Sequence, residues 1–301
     1  MKKVIILMST YNGQKYLEEQ LDSIILQTYS EIEIYIRDDG SSDETIDILK
    51  RYCKNYTNIN VDFGENVGYP ECFYKLTDKK LDGDYFMFAD QDDYWLPFKV
   101  ERAVKSLTSE SSNGSVCYYS SYNICDNNLN FIRESPNKDK KFTLKDTLFE
   151  VCGLEFTMAL NRQAFDLLNI YRPINSSARG TWMSMLFSSS GKVLYDNVAT
   201  ANYRRHEDAV TSPNMGNLGL FLWRVKKFLL GENLNNYKNM LKEFREIMGD
   251  NLSTQEKEIL SIFCENHDFF GSTKKIFYPQ RLRSSILDEL QLRILFLLKK
   301  I

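Results

Sequence analysis

A chain of 301 residues is long enough for one large domain, or one domain with a smaller appendage, and can bury a sizeable core. Its hydrophobic fraction of 43% and charged fraction of 26% are those of an ordinary folded protein and exclude a disordered or fibrous one. The formal net charge of −3 supplies no field to draw in a phosphate backbone, so no nucleic-acid partner is expected.

The six cysteines, Cys53, Cys72, Cys117, Cys125, Cys152 and Cys264, form no C-x-x-C pair and have no histidine partners at zinc spacing. They read as reduced thiols of a cytosolic protein. The apolar run at residues 4–8 is too short for a signal-peptide core or a membrane span, and no other stretch reaches spanning length. A cytoplasmic location is expected.

Up to about residue 120, short apolar runs alternate with longer segments of helical spacing, the pattern of βαβ units. Strands are expected at 3–9, 32–37, 60–63, 85–89 and 115–120. Continuous apolar runs of this kind suit an α/β fold whose mostly parallel central sheet is covered on both faces. Residues 14–27 place Leu17, Leu21, Ile24 and Ile25 on one helical face, with Asn12 as cap. Ser41 and Glu44 have the spacing of a capping box for a second helix, and Pro97 suits the first turn of a third that runs to about residue 107. A polar loop is expected at 122–141, then strands at 156–160 and 198–204 with a helix at 182–188 between them, and from about residue 215 helices only.

Ligands of an open α/β sheet bind beyond the carboxyl ends of its strands. The first strand ends in Ser9-Thr10-Tyr11-Asn12-Gly13, which lacks the spacing of a dinucleotide fingerprint or a P-loop. Its backbone and hydroxyl groups either contact a nucleotide or cap the next helix. The second strand ends in Arg37-Asp38-Asp39-Gly40-Ser41, where a carboxylate can accept from a pyrimidine N–H or a ribose hydroxyl. An Asp-Gly hairpin turn is the alternative, weakened because a helix follows and not a returning strand.

The fourth strand runs straight into Asp90-Gln91-Asp92-Asp93. Three carboxylates within four residues, at the mouth of an apolar sheet, repel one another unless solvent or a divalent cation offsets them. Mg2+ or Mn2+ is a more economical explanation than an acidic surface turn. Both prefer oxygen ligands and keep positions open for phosphate oxygens, as transfer from a nucleotide sugar requires.

Together, Ser9-Thr10-Tyr11-Asn12, Asp38-Asp39-Gly40-Ser41-Ser42-Asp43, Asn66-Val67-Gly68 and Ala89-Asp90-Gln91-Asp92-Asp93-Tyr94-Trp95 resemble, in order and spacing, the family 2 glycosyltransferases of the GT-A fold. The run from Phe88 to Asp93 is most similar to bacterial rhamnosyltransferase-type enzymes of surface polysaccharide assembly. The similarity spans about residues 1–210. It implies a GT-A catalytic domain over 1–212, with a nucleotide-sugar half to about residue 120 and an acceptor half after it, followed by a helical C-terminal extension over 213–301. It further implies that Thr10, Tyr11, Asn12, Asp38, Asp39, Asn66 and Gly68 hold the nucleotide, and that Asp90 and Asp92 form a metal-binding D-x-D motif, with Asp92 and Asp93 as catalytic residues and Asp93 either supporting the motif or contacting the sugar. The blocks Thr157-Met158-Ala159-Leu160-Asn161-Arg162 and Tyr203-Arg204-Arg205-His206 also match, which makes His206 a candidate on the metal or diphosphate side. The expected partners are a UDP- or dTDP-sugar that donates a hexose or deoxyhexose, and a saccharide acceptor, lipid-linked in such pathways.

Two departures stand out. The acceptor-side helix of the family carries a general-base aspartate shortly before its tryptophan, whereas this chain reads Ala178-Arg179-Gly180-Thr181-Trp182. Either the correspondence is shifted, or another carboxylate such as Glu155 serves, or the chain is a catalytically silent nucleotide-sugar-binding subunit. Cys72-Phe73 stands where an asparagine is common. A sugar nucleotidyltransferase, the other enzyme class considered, would need a glycine-rich phosphate loop after the first strand. Finally, residues 218–230 and 281–300 interleave large apolar groups with cations. They suit either the inner face of a membrane or packing against the catalytic domain or the partner in a homo-oligomer.

Overall fold

The structure, a computed structural model, describes residues 1–110, 114–138, 141–176, 178–205, 233–264 and 269–299. The expected domain boundary near residue 212 and the segment 218–230 lie outside them. The chain divides into two compact units: one comprises 1–141, 153–170 and 191–209, the other 142–152, 171–190 and 210–301.

The first unit holds the sheet. Its strands are β1 (Val4–Thr10), β2 (Ile32–Asp38), β3 (Ile59–Phe63), β4 (Tyr85–Ala89), β5 (Tyr94–Trp95), β6 (Ser115–Cys125), β7 (Phe131–Glu134), β8 (Ala159–Asn161) and β9 (Gly191–Arg204). They lie in the order β3-β2-β1-β4-β8-β6-β9-β5, with β7 beside β6. The run β3-β2-β1-β4 is parallel throughout. Beyond it β8 is antiparallel to both neighbours, while β6 and β9 are parallel. Helices α1 (Leu17–Ile25), α2 (Thr45–Asn55), α3 (Glu71–Thr77), α4 (Lys99–Ser109) and α6 (Arg162–Ile170) belong to this unit.

The second unit is helical, with α5 (Leu144–Thr147), α7 (Arg179–Ser190), α8 (Asn233–Met248), α9 (Thr254–Cys264), α10 (Phe269–Ile276) and α11 (Ile286–Leu297). Among the described residues no helix is long and apolar enough to cross a membrane.

Burial explains the parallel half. Val4 to Met8 and Tyr85 to Ala89 are buried at every position, as strands covered on both faces must be, and Leu17, Leu21 and Ile24 of α1 pack into the same core. The register pairs Met8 with Ala89 and Thr10 with Asp38. Three chain reversals therefore emerge side by side at the carboxyl ends of β1, β2 and β4.

Several local expectations change. Asn12 does not cap α1: its backbone is left-handed (φ 47°), and its side-chain oxygen accepts from the Ser42 N–H at 2.8 Å. Ser41 and Glu44 form no capping box, and α2 has no side-chain cap at Glu44. The Ser41 hydroxyl instead donates to Asp38 at 2.5 Å and accepts from the Asn12 N–H at 2.9 Å. A buried carboxylate nearby outcompetes the weaker helix-end N–H as a partner for that hydroxyl.

The expected strand at 156–160 opens as a 3-10 turn over Glu155–Thr157 and becomes strand only at Ala159. The expected polar loop at 122–141 contains the end of β6 and all of β7, whose residues are exposed and so carry no apolar signal. β9 starts seven residues earlier than 198. There Gly191 lies against β6 so closely that a Cβ would stand 2.4 Å from the Ser115 carbonyl oxygen.

The relocated Ser41 contacts predict that Ser41→Ala lowers the unfolding free energy by about 2 kcal/mol, because the buried Asp38 carboxylate and the part-buried Asn12 N–H lose their partner. Glu44→Ala should stay within about 0.5 kcal/mol. Urea denaturation of the two variants decides this, and equal costs would restore the capping box.

Candidate active site

The first two reversals are knitted together by hydrogen bonds. Asp38, fully buried, accepts from the Thr10 hydroxyl at 3.1 Å and from the Ser41 N–H at 3.0 Å. The Gly13 N–H donates to the Thr45 hydroxyl at 2.8 Å and the Gln14 N–H to Asp43 at 3.2 Å. Asp39 reaches the other way. It accepts from the Val67 N–H at 3.1 Å, the Gly68 N–H at 2.7 Å and the Arg37 guanidinium at 3.3 Å, which ties the loop after β3 to the end of β2. Gly40 (φ 81°) permits this closeness, since a Cβ there would lie 3.0 Å from the Asn66 nitrogen.

The structure therefore brings together Thr10, Asn12, Asp38, Asp39, Asn66 and Gly68, all expected from sequence. Thr10 and Asp38 are internal struts with their polar groups turned on each other. Tyr11 is 48% exposed beside them.

The acidic reversal after β4 is pinned at two points. Gln91 meets Tyr11 as an adjacent strand would: its side-chain oxygen accepts the Tyr11 N–H at 2.9 Å, and its amide donates to the Tyr11 carbonyl at 3.1 Å. A Cβ on Gly13 would stand 2.4 Å from that amide oxygen, so glycine makes room for the clamp.

Arg204, at the end of β9 and 3% exposed, holds the other side. Its N–H donates to Asp93 at 3.2 Å and its Nε to the Asp92 carbonyl at 2.9 Å. One terminal nitrogen donates to the Asn127 carbonyl at 2.6 Å and the other pairs with Glu19 of α1, while the guanidinium lies 4.4 Å over the Tyr16 ring. The planar fork suits several acceptors held at fixed angles. Gln91 and Arg204 were each within a recognised motif, but a sequence does not show which acceptors a donor will meet.

Asp90 and Asp92 are partly buried, and Asp93 is buried. Burial, then the charges of Asp90 and Asp92, push the Asp93 carboxyl well above the ordinary carboxylate range; the Arg204 N–H and Lys99 oppose this. Lys99, 1% exposed in α4, is pulled down to about 7 by burial, against the attraction of Asp93. Its ammonium donates to the Thr200 hydroxyl at 3.2 Å and lies 4.7 Å over the Trp95 ring. A buried lysine thus interacts with the acidic loop, one that sequence reading did not single out. Its only signal was a lysine where the helix turns its apolar face inward.

Asp90 and Asp92 supply oxygen donors to a region of concentrated negative charge, the chemistry a hard divalent cation selects. Among the described residues no group of three or more His, Cys, Asp or Glu side chains could by itself hold a metal ion. His206 lies outside the described residues.

On the acceptor side of the expectation, Glu155 accepts a hydrogen bond from the Tyr69 hydroxyl at 2.7 Å, next to the loop that Asp39 anchors. Behind it Phe156 stacks on Tyr203, with ring centroids 5.5 Å apart, and meets Tyr122 edge to face. Gly180 lies in the first turn of α7, in the second unit.

Coupling between the buried charges predicts a non-additive cycle. Lys99→Met and Asp93→Asn should each destabilise by about 2–4 kcal/mol, and the double variant should fall short of the sum by about 1–3 kcal/mol. Strict additivity in urea unfolding would show that the two groups do not interact.

The model of the family described as glycosyl transferase family 2 matches residues 5–167, more than half of the chain. The dTDP-rhamnosyl transferase RfbG of Shigella flexneri is 29% identical over 220 residues, covering 69% of this chain and 74% of that protein. Glycosyltransferase GlyG of Streptococcus pneumoniae serotype 4 is 26% identical over 235 residues, 78% of this chain and 70% of its own. Among solved structures, Staphylococcus aureus TarS 1-349 in complex with UDP superposes with a TM-score of 0.58 at 17% identity, over 87% of this chain and 86% of that one. The mannosyltransferase PcManGT of Pyrobaculum calidifontis, in complex with GDP-Man and Mn2+, does so with 0.55 at 15%, over 99% and 74%. These likenesses show a GT-A fold.

Proposed function

This chain belongs to glycosyl transferase family 2 and is a glycosyltransferase, and from that premise we propose that it moves a hexose or deoxyhexose from a UDP- or dTDP-sugar to a saccharide acceptor, lipid-linked, in bacterial surface polysaccharide synthesis. The observation that carries the reading is the clamped acidic loop, held by Gln91 to the β1 reversal and by Arg204 to β9, at the mouth of the parallel strands. The relative named a dTDP-rhamnosyl transferase favours a pyrimidine nucleotide.

In this reading Tyr11, Asn12, Asp39, Asn66 and Gly68 receive the nucleotide. Thr10 and Asp38 keep the floor beneath it rigid. Asp90 and Asp92 would hold Mn2+ or Mg2+, with Asp93 in support and His206 on the diphosphate side. When bound, such a cation supplies Lewis-acid stabilisation of the charge on the departing diphosphate.

Gly180 leaves the usual base position without a carboxylate, and Glu155 takes the role. Its carboxylate accepts the proton of the acceptor hydroxyl as that oxygen bonds to the anomeric carbon and the bond to the diphosphate breaks on the opposite face, so the product is inverted. Tyr69 orients Glu155 through its hydroxyl. Catalysis then rests on positioning and on charges fixed before substrate arrives.

A panel of nucleotide sugars assayed for metal-dependent hydrolysis and transfer tests this. UDP- or dTDP-sugars should turn over with Mn2+. Asp92→Asn should lower kcat/KM by about a hundredfold or more with the fold intact, and Glu155→Gln should lower the transfer kcat by about a hundredfold with little change in donor KM. An active Asp92→Asn enzyme would remove the metal assignment. Binding of UDP with manganese but no turnover of any donor would identify a silent subunit instead.

A further inference from the structure

Helix α11 buries Glu289, Leu292, Leu295 and Phe296 against its own unit. Its opposite face presents Ile286, Leu287, Leu290, Ile294 and Leu297, followed by Leu298, each between 48% and 67% exposed. At about 100° per residue these six side chains fall within an arc of roughly 120° that contains no charged group. A continuous stripe of this kind on the outside of a folded unit marks an interaction surface, because water-facing helices ordinarily carry polar residues there.

Charge identifies what the stripe meets. Residues 269–301 hold seven Lys and Arg against Asp288 and Glu289, a net of +5 in a chain whose total is −3. Lys274, Arg281 and Lys299 are exposed, while Arg293 is committed to Glu289. A second copy docked symmetrically through α11 would bring one cationic segment onto another, which disfavours self-association through this face. An anionic lipid surface satisfies both features at once: the stripe enters the acyl boundary while the cations meet the headgroups. With 12 residues, α11 is too short to cross a bilayer and suited to lying in its interface.

We propose that the exposed face of α11 docks the protein on an anionic membrane surface. This holds whatever the donor sugar and is tested without it. The full chain should float with vesicles of phosphatidylethanolamine and phosphatidylglycerol, bind vesicles of phosphatidylcholine far less, and release as salt is raised. The double substitution Leu290→Glu and Ile294→Glu, at exposed positions, should weaken vesicle binding by about tenfold or more while leaving the melting temperature and nucleotide-sugar turnover in solution unchanged. Failure to bind anionic vesicles, or binding that the double substitution leaves intact, would overturn the proposal. So would a sedimentation equilibrium in which α11 mediates a dimer that the same substitutions dissolve, since that result would assign the face to a second copy.

Discussion

The proposed function depends on holding several carboxylates close together at the carboxyl end of β4, inside the sheet of the first unit. Like charges at that spacing repel, so the backbone that carries them must be restrained from outside. Two side chains do this. Gln91 copies a strand's pairing pattern against Tyr11, and Arg204 spends its donors on the Asp92 carbonyl, the β6–β7 turn and α1. Both contacts are long-range in sequence, so the acidic loop takes its shape only once β1, β4 and β9 have assembled. Lys99 in α4 interacts with Asp93 from the protein side and opposes the rise of its carboxyl.

The parallel half of the sheet was legible in the sequence because local pattern and tertiary environment agree there. Strand β4 and residues Val4 to Met8 of β1 are apolar and buried at each position; β4 ends at Ala89 as expected, and β1 runs one residue past the expected end at Ser9, to Thr10. Legibility failed where a residue had two possible partners. Ser41 has the spacing of a helix cap, yet its hydroxyl goes to Asp38, whose position three residues earlier is brought close only by the left-handed Gly40. Asn12 turned from α1 to Ser42 for the same reason. Edge strands failed for another: β7 is exposed on both faces, so nothing apolar marks it. Arg204 and Lys99 were invisible as site residues because a cation's role is set by which acceptors converge on it, and sequence spacing does not report convergence.

The absence of a carboxylate at Gly180 shifts attention to the loop between β3 and α3. Asp39 anchors Val67 and Gly68, and the same loop sends Tyr69 to Glu155. Hydrogen bonds from the Gly68 N–H to Asp39 and from the Tyr69 hydroxyl to Glu155, joined by the backbone of this loop, therefore link the end of β2 to Glu155. Under the proposed function, such an arrangement would let an occupied nucleotide site influence where Glu155 stands, through contacts that lie wholly within the first unit.

The central claim is that the clamp on the acidic loop organises it for a divalent cation and a diphosphate. Titrating Mn2+ into the chain in saturating UDP, for the wild type and for Gln91→Ala, addresses it most directly, because Gln91 is only half-buried and its loss leaves the core untouched. The account predicts that Mn2+ affinity falls by about 10–100-fold with the melting temperature nearly constant. An affinity equal to that of the wild type would show that the clamp does not organise the site.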